Sequence, residues 1–93
     1  ESLIFQIAQR KCPKTLALLL ESGVKPDTVN SFNQTLLHLA AEAGQEQNVS
    51  CLLQHSASIN AQDESKRTPL FLAVTQNQLS IVELLLEKKA DLY

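Results

Sequence analysis

The sequence predicts an all-α solenoid of stacked helix-turn-helix repeats joined by hairpin-like loops, and three observations support this prediction. A shift of 33 residues superposes three segments without a gap, and nine of the twenty-six pairs between 35–60 and 68–93 are identical. Within each unit, apolar residues recur at i, i+3 and i+4, which is the spacing of one helix face. Stretches of about thirteen residues rich in turn formers separate the helix pairs. These observations indicate a tandem array.

The first helix of each unit is predicted to begin after a hydroxyl residue that caps free backbone N–H groups: Ser2, Thr35 and Thr68. Pro69 occupies the first helical position, where its missing N–H costs nothing. We expect these helices to end near Lys11, Gly44 and Asn77. Glycine and asparagine tolerate the left-handed conformation that ends a helix, whereas Lys11 would adopt it with some strain.

The second helix of each unit carries one apolar stripe: Leu16, Leu19 and Leu20, then Val49, Leu52 and Leu53, then Val82, Leu85 and Leu86. Leucines at 18–20, 52–53 and 84–86 are expected to fill the space between repeats, each contributing about 2–3 kcal/mol when fully buried. Residues 22–34 and 55–67 should form extended, hairpin-like projections. We predict one domain over 1–93, with repeats at approximately 2–34, 35–67 and 68–93.

These motifs resemble the ankyrin repeat. Residues 35–44 read Thr-Leu-Leu-His-Leu-Ala-Ala-Glu-Ala-Gly, close to the family's Thr-Pro-Leu-His and Leu-Ala-Ala opening. Residues 68–74 read Thr-Pro-Leu-Phe-Leu-Ala-Val, and residues 57–63 resemble the family loop Ala-Asp-Val-Asn-Ala-x-Asp. The first unit is more divergent. Tetratricopeptide arrays have a similar period, but their tryptophan and tyrosine pattern is missing and the linkers here are too long.

Composition excludes several classes of function. A net charge of −2 and a pI near 5.6 give no basic field for nucleic acid, and the apolar runs are too short for membrane insertion. Two distant cysteines fit a reducing compartment, so we expect a cytoplasmic or nuclear protein. No metal-ligand spacing or glycine-rich phosphate loop is present, so no cofactor is expected. The absence of methionine indicates a fragment of a longer protein.

The candidate chemical groups favour structural roles, so we do not expect an enzyme. The resemblance implies that His38 hydrogen-bonds the capping Thr35 and nearby loop backbone. Cys51 aligns with leucines in the other repeats and should be a small buried apolar residue. Cys12 lies at a turn and is more exposed, and His55 should be a solvated residue near a helix C-terminus. No nucleophile is placed beside a base.

The resemblance implies that the concave face, formed by hairpins and first helices, binds a partner protein or peptide. The predicted binding residues are Phe32, Gln34, Glu42, Glu64, Ser65, Arg67 and Gln76. Phe32 stands among polar neighbours and aligns with Ser65, so the fold does not require an aromatic ring there. Arg67 could supply a charge-assisted hydrogen bond. Alternatively, these repeats are a structural spacer in a longer array whose partner site or catalytic domain lies elsewhere.

Two further expectations concern the array's ends and one loop. The first unit offers Leu3, Ile4, Phe5 and Ile7 and the chain closes on Leu92-Tyr93, so uncapped apolar ends should allow weak self-association. The resemblance also makes Asn60 a candidate for asparaginyl hydroxylation, with Leu52 and Ile59 partly matching the favoured context. A structural role for Asn60, through hydrogen bonds to loop backbone, is the stronger expectation.

Overall fold

The computed structural model describes residues 3–88, which form six helices in three consecutive pairs. Their bounds are α1 Leu3–Gln9, α2 Pro13–Glu21, α3 Leu36–Ala43, α4 Glu46–Gln54, α5 Pro69–Thr75 and α6 Leu79–Glu87. Strand-like pairing among residues 3–88 is limited to an isolated antiparallel bridge between Val29 and Thr35. The all-α prediction is therefore confirmed, and the short bridge marks the base of a hairpin.

A threonine caps the first helix of the second and third repeats, α3 and α5, as the sequence predicts. The Thr35 hydroxyl oxygen accepts a hydrogen bond from the His38 N–H at 3.3 Å, and that of Thr68 accepts from the Phe71 N–H at 3.2 Å. Each bond satisfies a backbone donor that the first helical turn leaves without a partner. The third predicted cap, Ser2, lies outside the described residues.

The ends of the first helices differ from one repeat to the next. Gly44 (φ 78°) and Asn77 (φ 55°) adopt the left-handed conformation that ends α3 and α5. α1 ends at Gln9, near Lys11 as predicted, but Lys11 is not among the described residues with positive φ. The turn after α1 is instead closed by a hydrogen bond from the Cys12 N–H to the Arg10 carbonyl, at 2.8 Å.

A side chain from the second repeat completes the end of α1. The Asn48 amide Nδ2 donates to the carbonyls of Ile7, Ala8 and Arg10, at 3.0 Å for Ala8. Asn48 is fully buried, and its Oδ1 atom has no hydrogen-bond partner among the described residues. The carbonyls at the end of α1 are therefore capped by the neighbouring repeat as well as by their own turn.

The helices stack in two layers, with α1, α3 and α5 in one and α2, α4 and α6 in the other. The fully buried alanines 8, 40, 41 and 73 allow the helices of the first layer to approach closely. Two leucines expected between repeats are not there, because Leu18 is 66% exposed and Leu86 is 43% exposed. They belong to the first and last repeats, and each lies on a face that no described repeat covers. None of the helices within residues 3–88 is long and apolar enough to cross a membrane.

Candidate functional site

The hairpin between α2 and α3 ends in a closed turn that presents Phe32. The Asn30 N–H donates to the Gln34 carbonyl at 3.0 Å, and the Asn30 side-chain oxygen accepts from the N–H groups of Phe32 (2.9 Å) and Gln34 (3.0 Å). Asn33 takes a positive φ of 61°, a conformation that asparagine tolerates better than most residues. The backbone around Phe32 is therefore held by its own hydrogen bonds.

The hairpin between α4 and α5 repeats this arrangement. The Asp63 N–H donates to the Arg67 carbonyl at 3.0 Å, and Asp63 Oδ1 accepts from the N–H groups of Ser65 (2.9 Å) and Arg67 (2.8 Å). Lys66 takes a φ of 63°, as Asn33 does one repeat earlier. Ser65 occupies the place of Phe32, so the turn forms equally well without an aromatic ring.

The two hairpin tips are bonded to each other. The Glu64 N–H donates to the Phe32 carbonyl at 3.1 Å, and the Asn33 amide donates to the Gln62 carbonyl at 3.3 Å. Because both bonds end on a backbone carbonyl, they fix the distance between the two hairpin tips. The tips therefore form one surface.

Five of the seven predicted binding residues meet on this surface. A depression of about 280 Å³ is lined by Phe32, Gln34, Glu64, Ser65 and Arg67, together with Asp63. We call it the hairpin-tip groove. The remaining two residues lie elsewhere, since Glu42 is a half-buried residue of α3 and Gln76 is the exposed C-cap of α5.

The charges of the groove are organised around a buried carboxylate. Arg67 Nε donates to Asp63 Oδ2 at 2.9 Å, and the side chain of Asp63 is only 1% exposed whereas that of Arg67 is 38% exposed. Burial by itself would raise the pKa of Asp63, but hydrogen bonds from Arg67 and Ser65 outweigh it and hold the pKa below its usual value. The groove therefore holds an ionised Asp63.

Asp63 is the groove residue that sequence reasoning missed. Its signal was present, because Asp63 is in register with Asn30 and lies four residues before Arg67. Aspartate and asparagine at that place accept N–H bonds from the following turn.

His38 lies beneath the groove and supports it. Its Nδ1 accepts from the Thr35 N–H at 3.1 Å, so its Nε2 carries the proton and donates to the Arg67 carbonyl at 2.6 Å. Burial lowers the pKa of His38, against the opposing effects of the Arg67 carbonyl and Asp63. A neutral imidazole bonded on both sides holds the hairpin in place, which is the role that the resemblance implied.

The two thiols and the second histidine lie away from the groove. Cys51 is buried as predicted, and burial, followed by the charge of Glu21, raises its pKa. Cys12 is half-buried, with its thiol directed at the Ile7 carbonyl at 3.4 Å. His55 was expected to be solvated, but it is half-buried, and its Nδ1 lies 2.9 Å from the Cys51 carbonyl oxygen.

The remaining candidate features are a metal site and a modified asparagine. Residues 3–88 contain no group of three or more side chains that could hold a metal ion. Asn60 is exposed in the loop after α4, and its hydroxylation stays a prediction.

Paired helices, threonine caps and projecting hairpins define a class of repeat proteins, and comparison with known families identifies it. The family model for ankyrin repeats, in three copies, matches residues 4–93. The chain therefore belongs to the ankyrin repeat family, whose members are generally protein–protein interaction modules.

Three relatives are similar to this chain over half of its length or more. Rabankyrin-5 of Homo sapiens is 48% identical over 52 residues, which cover 56% of this chain and 4% of that protein. The B-cell lymphoma 3 protein homolog of Mus musculus is 35% identical over 91 residues, covering 92% of this chain and 20% of that protein. The ARF GTPase-activating protein Git of Drosophila melanogaster is 41% identical over 79 residues, which cover 84% of this chain and 11% of that protein. The chain thus spans a fifth or less of each of these proteins.

Proposed function

We propose that this chain is an interaction module that binds a partner protein or peptide at the hairpin-tip groove, with Phe32 as the main anchor. The observation that carries the proposal is the exposed ring, because 58% of Phe32 is accessible at the edge of the groove. An aromatic ring in contact with water has a higher free energy than the same ring buried against a partner. Aromatic residues also dominate binding hot spots. Ser65 occupies the position of Phe32 in the next repeat, so the fold does not require an aromatic ring there.

The rigidity of the groove favours binding. Phe32, Asn33 and Gln34 each donate their backbone N–H within the turn, so little conformational entropy remains to be lost there on association. The bond between Glu64 and Phe32 also keeps the second tip in place. A partner would therefore meet a preformed surface.

Arg67 supports the polar part of the recognition. Its Nε is occupied by Asp63, and among the described residues no acceptor is bonded to its two terminal nitrogens. A guanidinium held in this way can donate to a carboxylate or a main-chain carbonyl of the partner at little cost in side-chain entropy. We expect the partner to place an apolar side chain on Phe32 and an acceptor beside Arg67.

We also propose that the protein acts in the cytoplasm or nucleus, because Cys12 and Cys51 are free thiols and thiols stay reduced in those compartments.

Peptide selection tests the proposal without a known partner. Peptides selected on the wild-type chain from a random phage library would be measured by calorimetry against the wild type, Phe32→Ala and Leu79→Ala. Leu79 is a matched control because it is 69% exposed but lies on α6, away from the groove. We expect Phe32→Ala to weaken binding by about 2 kcal/mol, about thirtyfold in Kd, and Leu79→Ala to change little.

Stability measurements separate the possible outcomes. Because Phe32 is largely exposed, Phe32→Ala should leave the melting temperature almost unchanged. A loss of stability without a loss of affinity would make Phe32 a packing residue. Peptides that bind Phe32→Ala as well as the wild type would contradict the role of Phe32 as the anchor. A selection that yields no binding peptide would favour the alternative function, a structural spacer whose partner site lies elsewhere.

A further inference from the structure

Several hydrogen-bond acceptors of the hairpin-tip groove are already occupied by the protein itself. The Phe32 carbonyl accepts from the Glu64 N–H, and the Asp63 carboxylate accepts from two backbone N–H groups and from a guanidinium. The Gln34 side-chain oxygen accepts from the Asn30 amide at 3.1 Å. A ligand that offers mainly donors would therefore find few free acceptors among these groups.

Two side chains of the groove carry donors that have no acceptor within residues 3–88. These donors are the amide nitrogen of Gln34 and the terminal guanidinium nitrogens of Arg67. The two residues occupy the same register in adjacent hairpins, and both are half-buried. Each is already held through another atom, Gln34 by Asn30 and Arg67 by Asp63, so little side-chain entropy is left to lose on binding. A ligand must therefore bring acceptors to two places, one on each hairpin.

The charge of the groove decides which acceptors fit. Two of its three charged side chains, Asp63 and Glu64, are carboxylates and only Arg67 is a cation, so the lining carries a net charge of −1. Arg67 is already paired with Asp63, while the exposed Glu64 forms no ion pair with any other described residue. The neighbouring Lys66 is exposed and does not line the groove. An anionic ligand would be repelled by this lining, whereas neutral carbonyl oxygens satisfy the same donors without repulsion.

From this balance we propose that the groove binds an extended peptide segment that is basic and carries no acidic residue at the contact. The inference rests on the proposed function and names the chemistry of the partner. Main-chain carbonyls of the segment accept from Gln34 and Arg67, an apolar side chain covers Phe32, and a lysine or arginine lies beside Glu64. The segment is extended because a helix uses all but its last carbonyls in its own hydrogen bonds.

Selection and near-isosteric variants test the two polar parts of this recognition. Linear peptides selected on the wild type from a random phage library should be enriched in an apolar residue with lysine or arginine, and depleted in aspartate and glutamate. Glu64→Gln removes the charge and keeps the shape, so it should weaken these peptides about threefold, as expected for an exposed ion pair. Gln34→Met removes the donor without adding charge and should weaken them about fivefold.

A control variant and altered peptides show which contact is lost. Glu46→Gln removes another exposed carboxylate, on α4 and outside the groove, and should leave the Kd unchanged. A peptide whose basic residue is replaced by glutamine should bind the wild type and Glu64→Gln equally, because the charge that Glu64 contacts is gone. A proline inside the peptide, away from its apolar and basic residues, should be tolerated because it keeps its carbonyl, whereas it would break a helical ligand.

The outcomes separate this inference from the proposed function. Acidic selected peptides, or peptides that bind Glu64→Gln or Gln34→Met as tightly as the wild type, would overturn the inference. If Phe32→Ala still weakens those peptides, the proposed function stands. Loss of binding with proline at every interior position would indicate a helical ligand and would also overturn the inference. If Phe32→Ala has no effect, or no peptide is selected, the proposed function fails and the inference fails with it.

Discussion

His38 occupies a register position that holds phenylalanine in the other two repeats, yet its ring makes bonds that phenylalanine cannot make. Through Nδ1 it accepts from the Thr35 backbone, and through Nε2 it donates to the Arg67 carbonyl. Removing the ring nitrogens would leave the buried Thr35 N–H without a partner, at a cost of about 1–3 kcal/mol. A single side chain thus joins a helix cap to the hairpin that carries Arg67.

The buried imidazole predicts acid sensitivity. Because burial lowers the pKa of His38, the folded protein favours the neutral form, while the unfolded chain takes up a proton more readily. The free energy of unfolding should therefore fall as the pH drops below about 6.5, the ordinary histidine pKa, and level off below the folded pKa. Urea unfolding between about pH 7.5 and 5 measures this, above the range in which Asp63 would contribute.

His38→Phe provides the comparison for that experiment, because Phe5 and Phe71 occupy the same register. The variant should be less stable at about pH 7.5 and should lose most of the pH dependence over the histidine range. An unchanged slope in the variant would mean that another group causes the acid sensitivity.

At the scale of single elements, the first repeat depends on the second for its helix end. α3 and α5 are followed by left-handed residues, whereas α1 has Lys11 at that place and its Ala8 carbonyl accepts a hydrogen bond from Asn48. The third repeat carries Ile81 in the register of Asn48, and the helix that it faces is closed by Gly44. The chain therefore ends these helices in two ways. α1 is followed by a lysine and receives a donor from an asparagine of the next repeat, whereas α3 is followed by a glycine and faces an isoleucine.

A double-mutant cycle tests this dependence. Asn48→Ala should reduce the free energy of unfolding by about 1–3 kcal/mol, because the buried Ala8 carbonyl loses its donor. In a Lys11→Gly background the loss should be smaller, since the introduced glycine lets α1 end in its own left-handed turn. Chemical denaturation of the four proteins gives the coupling free energy. Equal losses in both backgrounds would contradict this dependence.

The sequence was sufficient for the periodic elements and insufficient for the contacts between repeats. The threonine caps at 35 and 68 and the left-handed Gly44 follow from local chemistry, because each depends on residues within one turn of the chain. The bond from Asn48 to Ala8 joins residues forty positions apart. It becomes visible only when two repeats are stacked.

At the scale of the whole molecule, the repeat in which an apolar residue lies decides whether it is buried or exposed. Leu18 and Leu86 carry the same register signal as buried residues, but they belong to the end repeats and are exposed. Sequence periodicity cannot distinguish an end repeat from an inner one, which explains why their burial was predicted wrongly. The grouping of Phe32 with Arg67 was accessible from the sequence because the hairpins repeat in register.

At this scale too, the proposal is that a partner binds at the hairpin-tip groove. Chemical-shift mapping of an isotopically labelled chain with a selected peptide tests that claim most directly. Binding at the groove predicts that the largest amide shifts fall in residues 30–34 and 62–67, with little change in α2, α4 and α6. Shifts centred on the second helices, with the groove unperturbed, would contradict the proposal.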